Sequence, residues 1–485
     1  VILIVGALAT ASVGLGAAPA QASVPLSIAI SGNHFVNGAG ATVRLLGVDV
    51  PSTEYACDQG WGYSSLPLTP ATADAIAAWH ADAVRVPLNE DCWLGLNGQP
   101  SYGTQAGYQQ AIEAWIAALN AAGLYAIVDL HWSAPGAVNA DGQRPMPDAH
   151  SVAFWSSVAG ALGENHAVVF DAFNEPYSPE ANGNSGLAVS WDCWLDGGCP
   201  VPVANQDDPI DDSDTYTAVG MQAIVNTIRA TGADQPILLG GLAYANDLSG
   251  WLAHEPVDPA HQLAASFHNY YGEACDTTSC WNSVVAGVAA QVPVVTGEFD
   301  EGDDCADPPA SPGRSTFDTT FMQWADGTGV SYLAWGWWVL DTTSTRCSAL
   351  SDPGDNYALI SNTAGSAVAP DGSYLRSHLD DLFRDGDLQG TPAPLQVTTS
   401  SLPTARVKAA YRATLQASGG NAPYRWRVTS GRLPAGLHLR SSGVISGKPR
   451  VAGTFTFSVT VVDHRTRTKP HTQHTGTGAL SITVG

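Results

Sequence analysis

Two glutamates stand where carboxyl groups do chemistry. Glu175 ends Val168-Val169-Phe170-Asp171-Ala172-Phe173-Asn174-Glu175, just before Pro176, and Glu298 ends Val294-Val295-Thr296-Gly297-Glu298. Such Val- and Phe-rich runs mark strands covered on both faces. Pro176 cannot continue a ladder, so the first run stops there. Each run delivers a carboxyl group to the C-terminal end of a strand. Two facing carboxyl groups suit glycoside hydrolysis. One protonates the leaving oxygen, and the other attacks the anomeric carbon or activates water. A neighbouring carboxylate raises the pKa of its partner and keeps it protonated near neutral pH.

Other polar and aromatic residues fall at comparable points: Arg85, His131, Trp132, Asn174, His268, Tyr270, Tyr271 and Trp335. Arg85 and His268 are suited to hold one carboxylate ionised. Asp129 and Asp171, in mid-strand, read as satisfied core groups. Glu54, Glu90 and Glu301 read as loop acids near the rim. Trp79 and Trp115 lie on apolar helical faces and belong to the core. No cluster has metal-ligand spacing, and this chemistry calls for neither a metal nor a cofactor.

The elements that must position these residues repeat regularly. Strand-like runs occur at Val43–Val48, Ala83–Leu88, Leu124–Leu130, Val168–Phe173, Pro236–Gly240, Leu263–His268, Val292–Gly297 and Val330–Gly336. Helical patterns lie between them at Thr69–His80, Tyr108–Ala122, Phe154–Leu162 and Tyr216–Thr231. Eight strands alternating with helices predict an α/β fold, a (β/α)8 TIM barrel, whose chemistry sits at the C-terminal rim. A doubly wound open sheet is the alternative, but no Gly-rich dinucleotide fingerprint supports it. An N-terminal hairpin, Leu26–Ile30 and Thr42–Val48 around a Gly/Asn-rich turn, leads in. The segment from Tyr177 to about Asp214 reads as one long loop walling the cleft.

Charge divides the 485 residues unequally. Residues 391–485 hold 12 Lys and Arg against one acid, Asp463, while the preceding residues hold eight Arg, no Lys and 44 acids. The overall net charge of -25 argues against nucleic acid as a partner. Such contrast predicts two domains, 24–390 and 391–485. The second alternates with period two between Gly and Pro turns and reads as a small β-sandwich. Its basic surface is suited to contact the acidic domain or an anionic polymer. Residues 1–23 read as a secretory signal, truncated at its basic start, with Ala20-Gln21-Ala22 as the cleavage site. No later run is long enough to span a bilayer. Eight Cys behind such a signal predict disulfides in a secreted, extracellular protein. Eight Cys allow 105 connectivities; the one in which neighbouring loops are joined locally is Cys57–Cys92, Cys193–Cys199, Cys275–Cys280 and Cys305–Cys347.

With these residues in place the chain resembles glycoside hydrolase family 5, the cellulase-like family of the retaining (β/α)8 clan, over about residues 27–385. Phe173-Asn174-Glu175-Pro176 and Thr296-Gly297-Glu298-Phe299 carry the resemblance, with Val84-Arg85-Val86-Pro87, Asp129-Leu130-His131-Trp132 and Phe267-His268-Asn269-Tyr270. It implies Glu175 as acid/base and Glu298 as nucleophile. It implies further that Asn174 contacts the sugar 2-hydroxyl, Arg85 supports the nucleophile and His131 lines the subsite. His268 and Tyr270 match the family's His-x-Tyr, with Tyr270 bonding the nucleophile, and Trp335 is the sugar platform. The C-terminal region resembles the immunoglobulin-like domains of bacterial secreted proteins, through Leu433-Pro434-Ala435-Gly436-Leu437 and Gly443-Val444-Ile445-Ser446-Gly447-Lys448-Pro449. The expected substrate is a β-linked polysaccharide or oligosaccharide. Endo-β-1,4-glucanase action is the first expectation, with an exo-acting β-glycosidase or a β-mannanase as alternatives. A non-catalytic carbohydrate-binding surface protein is the reading from another class, and the presence of both glutamates speaks against it.

Overall fold

The computed structural model describes residues 26–179, 187–206, 211–301, 316–340, 357–385, 396–397, 399, 401–418, 424–462 and 475–485. Residues 1–25, Cys305 and Cys347 lie outside these.

Eight parallel strands close into a barrel. They are β1 (Leu46–Asp49), β2 (Ala83–Asn89), β3 (Tyr125–Trp132), β4 (Val168–Asp171), β5 (Ile237–Gly240), β6 (Leu263–Tyr270), β7 (Val294–Asp300) and β8 (Ser331–Ala334). Each pairs with the next, and β8 returns to β1. The closed sheet excludes the open doubly wound alternative.

The strands read as continuous apolar runs because both faces are buried. Their two parities nonetheless carry different loads. Val84, Val86, Val128, Phe170, Leu239, Ala265 and Phe267 pack outward into the large core shared with the helices. Ala83, Ile127, Val169, Leu238, Ala264, Val295 and Leu333 fill the lower interior. Ile28, Phe35 and Val43 of the N-terminal strands join this second cluster and close the floor. Continuing along the inward parity toward the C-terminal ends brings Asp49, Arg85, Asp129, Asp171 and His268, all fully buried. The upper barrel is thus polar because the pleat repeats every two residues.

Glu298 breaks the count. Three residues beyond inward-facing Val295, regular alternation would turn it outward. Pairing shifts here: Phe267 pairs with Thr296, but His268 pairs with Glu298. Gly297 is the extra residue of a bulge, and the bulge turns Glu298 inward. A Cβ at Gly297 would lie 2.8 Å from His268 Nε2 and 3.2 Å from Ser266 Oγ, so the backbone must be bare there.

Several elements differ from their sequence expectation. Thr42–Val43 pairs with the hairpin strand, not the barrel, which starts at Leu46. Thr215–Val219, expected to open a helix, is a strand paired with Gly197–Pro202, and the helix is Met221–Ala230. Its β-branched alternation favours a ladder, and Gly220 separates the two elements. The long segment after β4 therefore carries a helix, Trp191–Asp196, and a hairpin. Glu54 and Glu301 lie in loops as expected, whereas Glu90 opens the short helix Glu90–Leu94, and all three are buried. Glu90 accepts from Ser151 Oγ at 2.8 Å and from the Ala134 amide at 3.3 Å.

Beyond the barrel, the described C-terminal residues form two three-stranded antiparallel sheets and a short pair. One contains Arg425–Gly431, Gly453–Val462 and Thr475–Val484; the other contains Tyr411–Thr414, Leu437–Leu439 and Val444–Gly447. Trp426, Ile445, Phe457, Val459 and Ile482 form their common core. Trp426 is thus a packing residue. Its neighbours Arg425 and Arg427 point the other way and are exposed, as are all nine described Lys and Arg here.

Candidate active site

Arg85 organises the mouth of the barrel. Its Nε donates to Asp171 Oδ2 at 2.9 Å and its Nη2 to Asn174 Oδ1 at 2.7 Å. Nη1 lies 2.7 Å from Glu298 Oε1 and 3.2 Å from Asp49 Oδ1, and Nη2 is 3.0 Å from Asp129 Oδ2. A planar fork of donors can serve several carboxylates at once, which a lysine cannot. Burial alone would lower the Arg85 pKa, but the surrounding carboxylates, Asp129 foremost, hold it well above its ordinary value. Burial in turn pushes Asp49 and Asp171 well above the carboxylate range against the pull of Arg85. Asp129 is pushed up to about 7 by burial, against the pull of Arg85 and with the help of Glu175.

Glu298 is held at both oxygens, by Arg85 at Oε1 and by the Tyr270 hydroxyl, which donates to Oε2 at 2.7 Å. Burial first, then the charges of Glu298 and Glu175, keeps the Tyr270 proton in place well past its usual pKa. Glu175 is also held at both oxygens. Oε1 lies 2.7 Å from His268 Nδ1, and Oε2 accepts from Gln143 Nε2 at 2.7 Å. Burial raises the Glu175 pKa, against the Gln143 hydrogen bond and nearby His131 and Arg85. His268 and His131 are driven down, mainly by burial, to about 3 and about 4, so both rings are neutral in mildly acidic to neutral solution.

Carboxylate oxygens of Glu175 and Glu298 lie within 4.8 Å of each other and of a His268 ring nitrogen. Two carboxyl groups about 5–5.5 Å apart suit a retaining displacement, whereas an inverting pair stands roughly 6.5–9.5 Å apart to admit water. His131 Nδ1 meets Asp129 Oδ2 at 2.6 Å, and its ring stacks on Trp335 at 5.5 Å and 9°. Trp335 is half-buried at the end of β8, with its other neighbour Trp338 edge-on at 6.1 Å.

The structure thus brings together Arg85, His131, Asn174, Glu175, His268, Tyr270, Glu298 and Trp335. Trp132 stands apart from this network, beside Tyr55 at 5.9 Å, with Tyr55 next to exposed Trp61. Asp49 and Gln143 were not anticipated. Asp49 ends β1 as Arg85 lies in β2, a positional cue available in the sequence. Gln143 sits in an aperiodic loop that carries no cue.

The structure links Cys57 to Cys92, Cys193 to Cys199 and Cys275 to Cys280. All three lie in segments following β1, β2, β4 and β6, on the face that bears the glutamates. Among the described residues, three clusters of potential ligand atoms fall within 4.8 Å: Glu175–His268–Glu298, Glu90–Asp148–His150 and Asp300–Asp318–Asp371. Sequence spacing had indicated none, because each is assembled from separate segments. In the first, Arg85, Tyr270 and Gln143 already engage the carboxylates. In the second, Asp148 caps the helix Ala149–Leu162.

A closed parallel barrel with two clamped carboxyl groups at its C-terminal mouth is the framework of a glycoside hydrolase. Residues 36–341 match the family model described as cellulase (glycosyl hydrolase family 5), and the chain belongs to that family. Residues 393–484 match an Ig-domain family model. Among curated relatives, the endoglucanase MaCel5A of Microbulbifer sp. is 28% identical over 165 residues, 34% of this chain and 26% of its own length. The match thus spans about a quarter of that relative. The β-glucanase SdGluc5_26A of Saccharophagus degradans superposes with a TM-score of 0.53 at 18% identity, covering 74% of this chain and 94% of its own. A structure titled cellulase Cel5C_n gives 0.51 at 18% identity, with the same coverage. These structures share the barrel fold.

Proposed function

We propose that this protein is a secreted retaining β-glycosidase that cleaves a β-linked glucan internally, as an endo-β-1,4-glucanase. The observation that carries the reading is the pair of carboxyl groups, Glu175 and Glu298, with oxygens within 4.8 Å and different clamps. Glu298, held by Arg85 and Tyr270, attacks the anomeric carbon. Glu175, with its raised pKa, protonates the departing glycosidic oxygen. It then takes a proton from the water that releases the glycosyl-enzyme. Asn174 contacts the 2-hydroxyl, and Trp335 and His131 offer a flat wall to the sugar. Trp132, with Tyr55 and Trp61, extends an aromatic surface for a longer chain.

The glucan preference rests on the family and on relatives named as an endoglucanase and a β-glucanase. Three disulfides on the catalytic face fit an oxidising, extracellular setting. Residues 24–390 form the catalytic domain and 391–485 an immunoglobulin-like one, whose exposed cations engage anionic partners: the acidic barrel of the same chain, or an anionic polymer.

Product analysis on soluble cellulose, mixed-linkage glucan, galactomannan, xylan and aryl β-glycosides tests this. A ladder of oligosaccharides from a β-glucan supports endo-action. Single sugars or disaccharides from intact polymers overturn endo-action, and a ladder from galactomannan alone makes the enzyme a mannanase.

A further inference from the structure

Gln143 stands on the loop between β3 and the helix Ala149–Leu162, in contact with Glu175. It is buried, with 9% exposure. Its Nε2 donates to Glu175 Oε2 at 2.7 Å, opposite the His268 contact at Oε1. Its own Oε1 is buried with no hydrogen-bond partner among the described residues.

The loop is not loosely held. Arg144, 1% exposed, bonds Asp141 Oδ1 at 3.0 Å and the Asn139 carbonyl at 3.2 Å. The Gln143 carbonyl accepts from the Gln206 amide at 3.2 Å and the Tyr177 hydroxyl at 3.5 Å. Tyr177 stacks on Tyr244 at 4.5 Å and 9°, and the Tyr244 amide returns to the Pro176 carbonyl at 3.1 Å. Three loops therefore converge on the backbone that carries Glu175.

We infer that Gln143 is a positioning residue for proton transfer: its amide locks the Glu175 carboxyl group in one plane and stabilises the carboxylate left when the proton departs. The inference rests on Glu175 being the acid/base. Other groups facing Glu175 are His268 and Tyr270 of β6, Glu298 of β7, Asp129 and His131 of β3, Arg85 of β2, and Glu273 beyond β6. Gln143, unlike all of them, cannot titrate. Removing it withdraws a hydrogen bond that favours the charged form, so the Glu175 pKa rises further.

The test compares kcat/KM on mixed-linkage β-glucan, whose leaving group needs a proton, with 2,4-dinitrophenyl β-cellobioside, whose leaving group needs none. Gln143→Leu should lose about tenfold to a hundredfold on the glucan and stay within about twofold on the aryl glycoside. Its alkaline limb on the glucan should move up by about half a pH unit or more. Gln143→Asn, which keeps a polar amide one methylene short of reach, should behave alike if the leucine variant does not fold. Equal losses on both substrates with an unmoved alkaline limb would overturn the inference. Glu175→Ala serves as reference. If it does not spare the aryl glycoside relative to the glucan, the acid/base assignment itself fails, whatever Gln143 does.

Discussion

At the scale of single residues, the site turns on how one guanidinium is shared. Arg85 faces four buried carboxyl groups, of which Glu298 alone also receives the Tyr270 hydroxyl. Glu298→Gln keeps the volume and removes the carboxylate proposed as nucleophile. It should retain the native melting temperature and lose about a thousandfold or more in kcat on any substrate. Undiminished turnover would end the nucleophile assignment. Arg85→Met should cost about 3–5 kcal/mol of stability in denaturant titration, since it leaves carboxyl groups buried without their cation. A loss under 1 kcal/mol would mean that those groups are already neutral. Asn174-Glu175-Pro176 and His268-x-Tyr270 were legible in the sequence because each is a short run tied to one strand end. The roles of Asp129 and Asp171 were half legible: their burial was foreseen, but their shared partner was not, since that partner stands on another strand.

At the scale of elements, the bulge in β7 is the sharpest case. Counting alternate residues from Val295 puts Glu298 on the wrong face, and periodicity gives no sign of the extra residue. Gly297→Ala should push the His268 ring, whose Nε2 would lie 2.8 Å from the new methyl group. His268 bonds Glu175, so activity should fall at least about tenfold while circular dichroism stays native. An alanine variant of full activity would show that the bulge relaxes freely. The segment after β4 was read as a loop because its Gly-, Pro- and Asp-rich composition hides a hairpin whose strands lie far apart in sequence. All eight barrel strands, by contrast, were legible in the sequence, though their ends differ from the expected ones by up to three residues, because burial on both faces writes an apolar run without marking where it stops.

For the molecule as a whole, protons set the stability. Burial lifts Asp129 and Asp82 to about 7 and Asp58 to about 6. A carboxyl group with a raised folded-state pKa contributes stability that is full below its unfolded value and is lost as pH rises through the folded value. Asp258 and Asp326 work oppositely. Burial opposes their ionisation, but Arg229 and Arg44 outweigh it and hold both below the ordinary value, so their contribution is lost in acid. The melting temperature should therefore peak between about pH 4 and 6 and decline toward pH 8. A profile that rises steadily to pH 8 would contradict the buried-carboxyl account.

The exposed cations of the C-terminal sheets have a consequence at the laboratory bench. A chain with net charge -25 should by that figure alone ignore a cation exchanger at neutral pH. The nine described Lys and Arg, all exposed, lie on the strands and turns of the C-terminal region, where no described residue is acidic. Resins of either sign therefore have a face to hold, and a protease cut between the segments that match the two family models, 36–341 and 393–484, should divide the material into one fraction for each column.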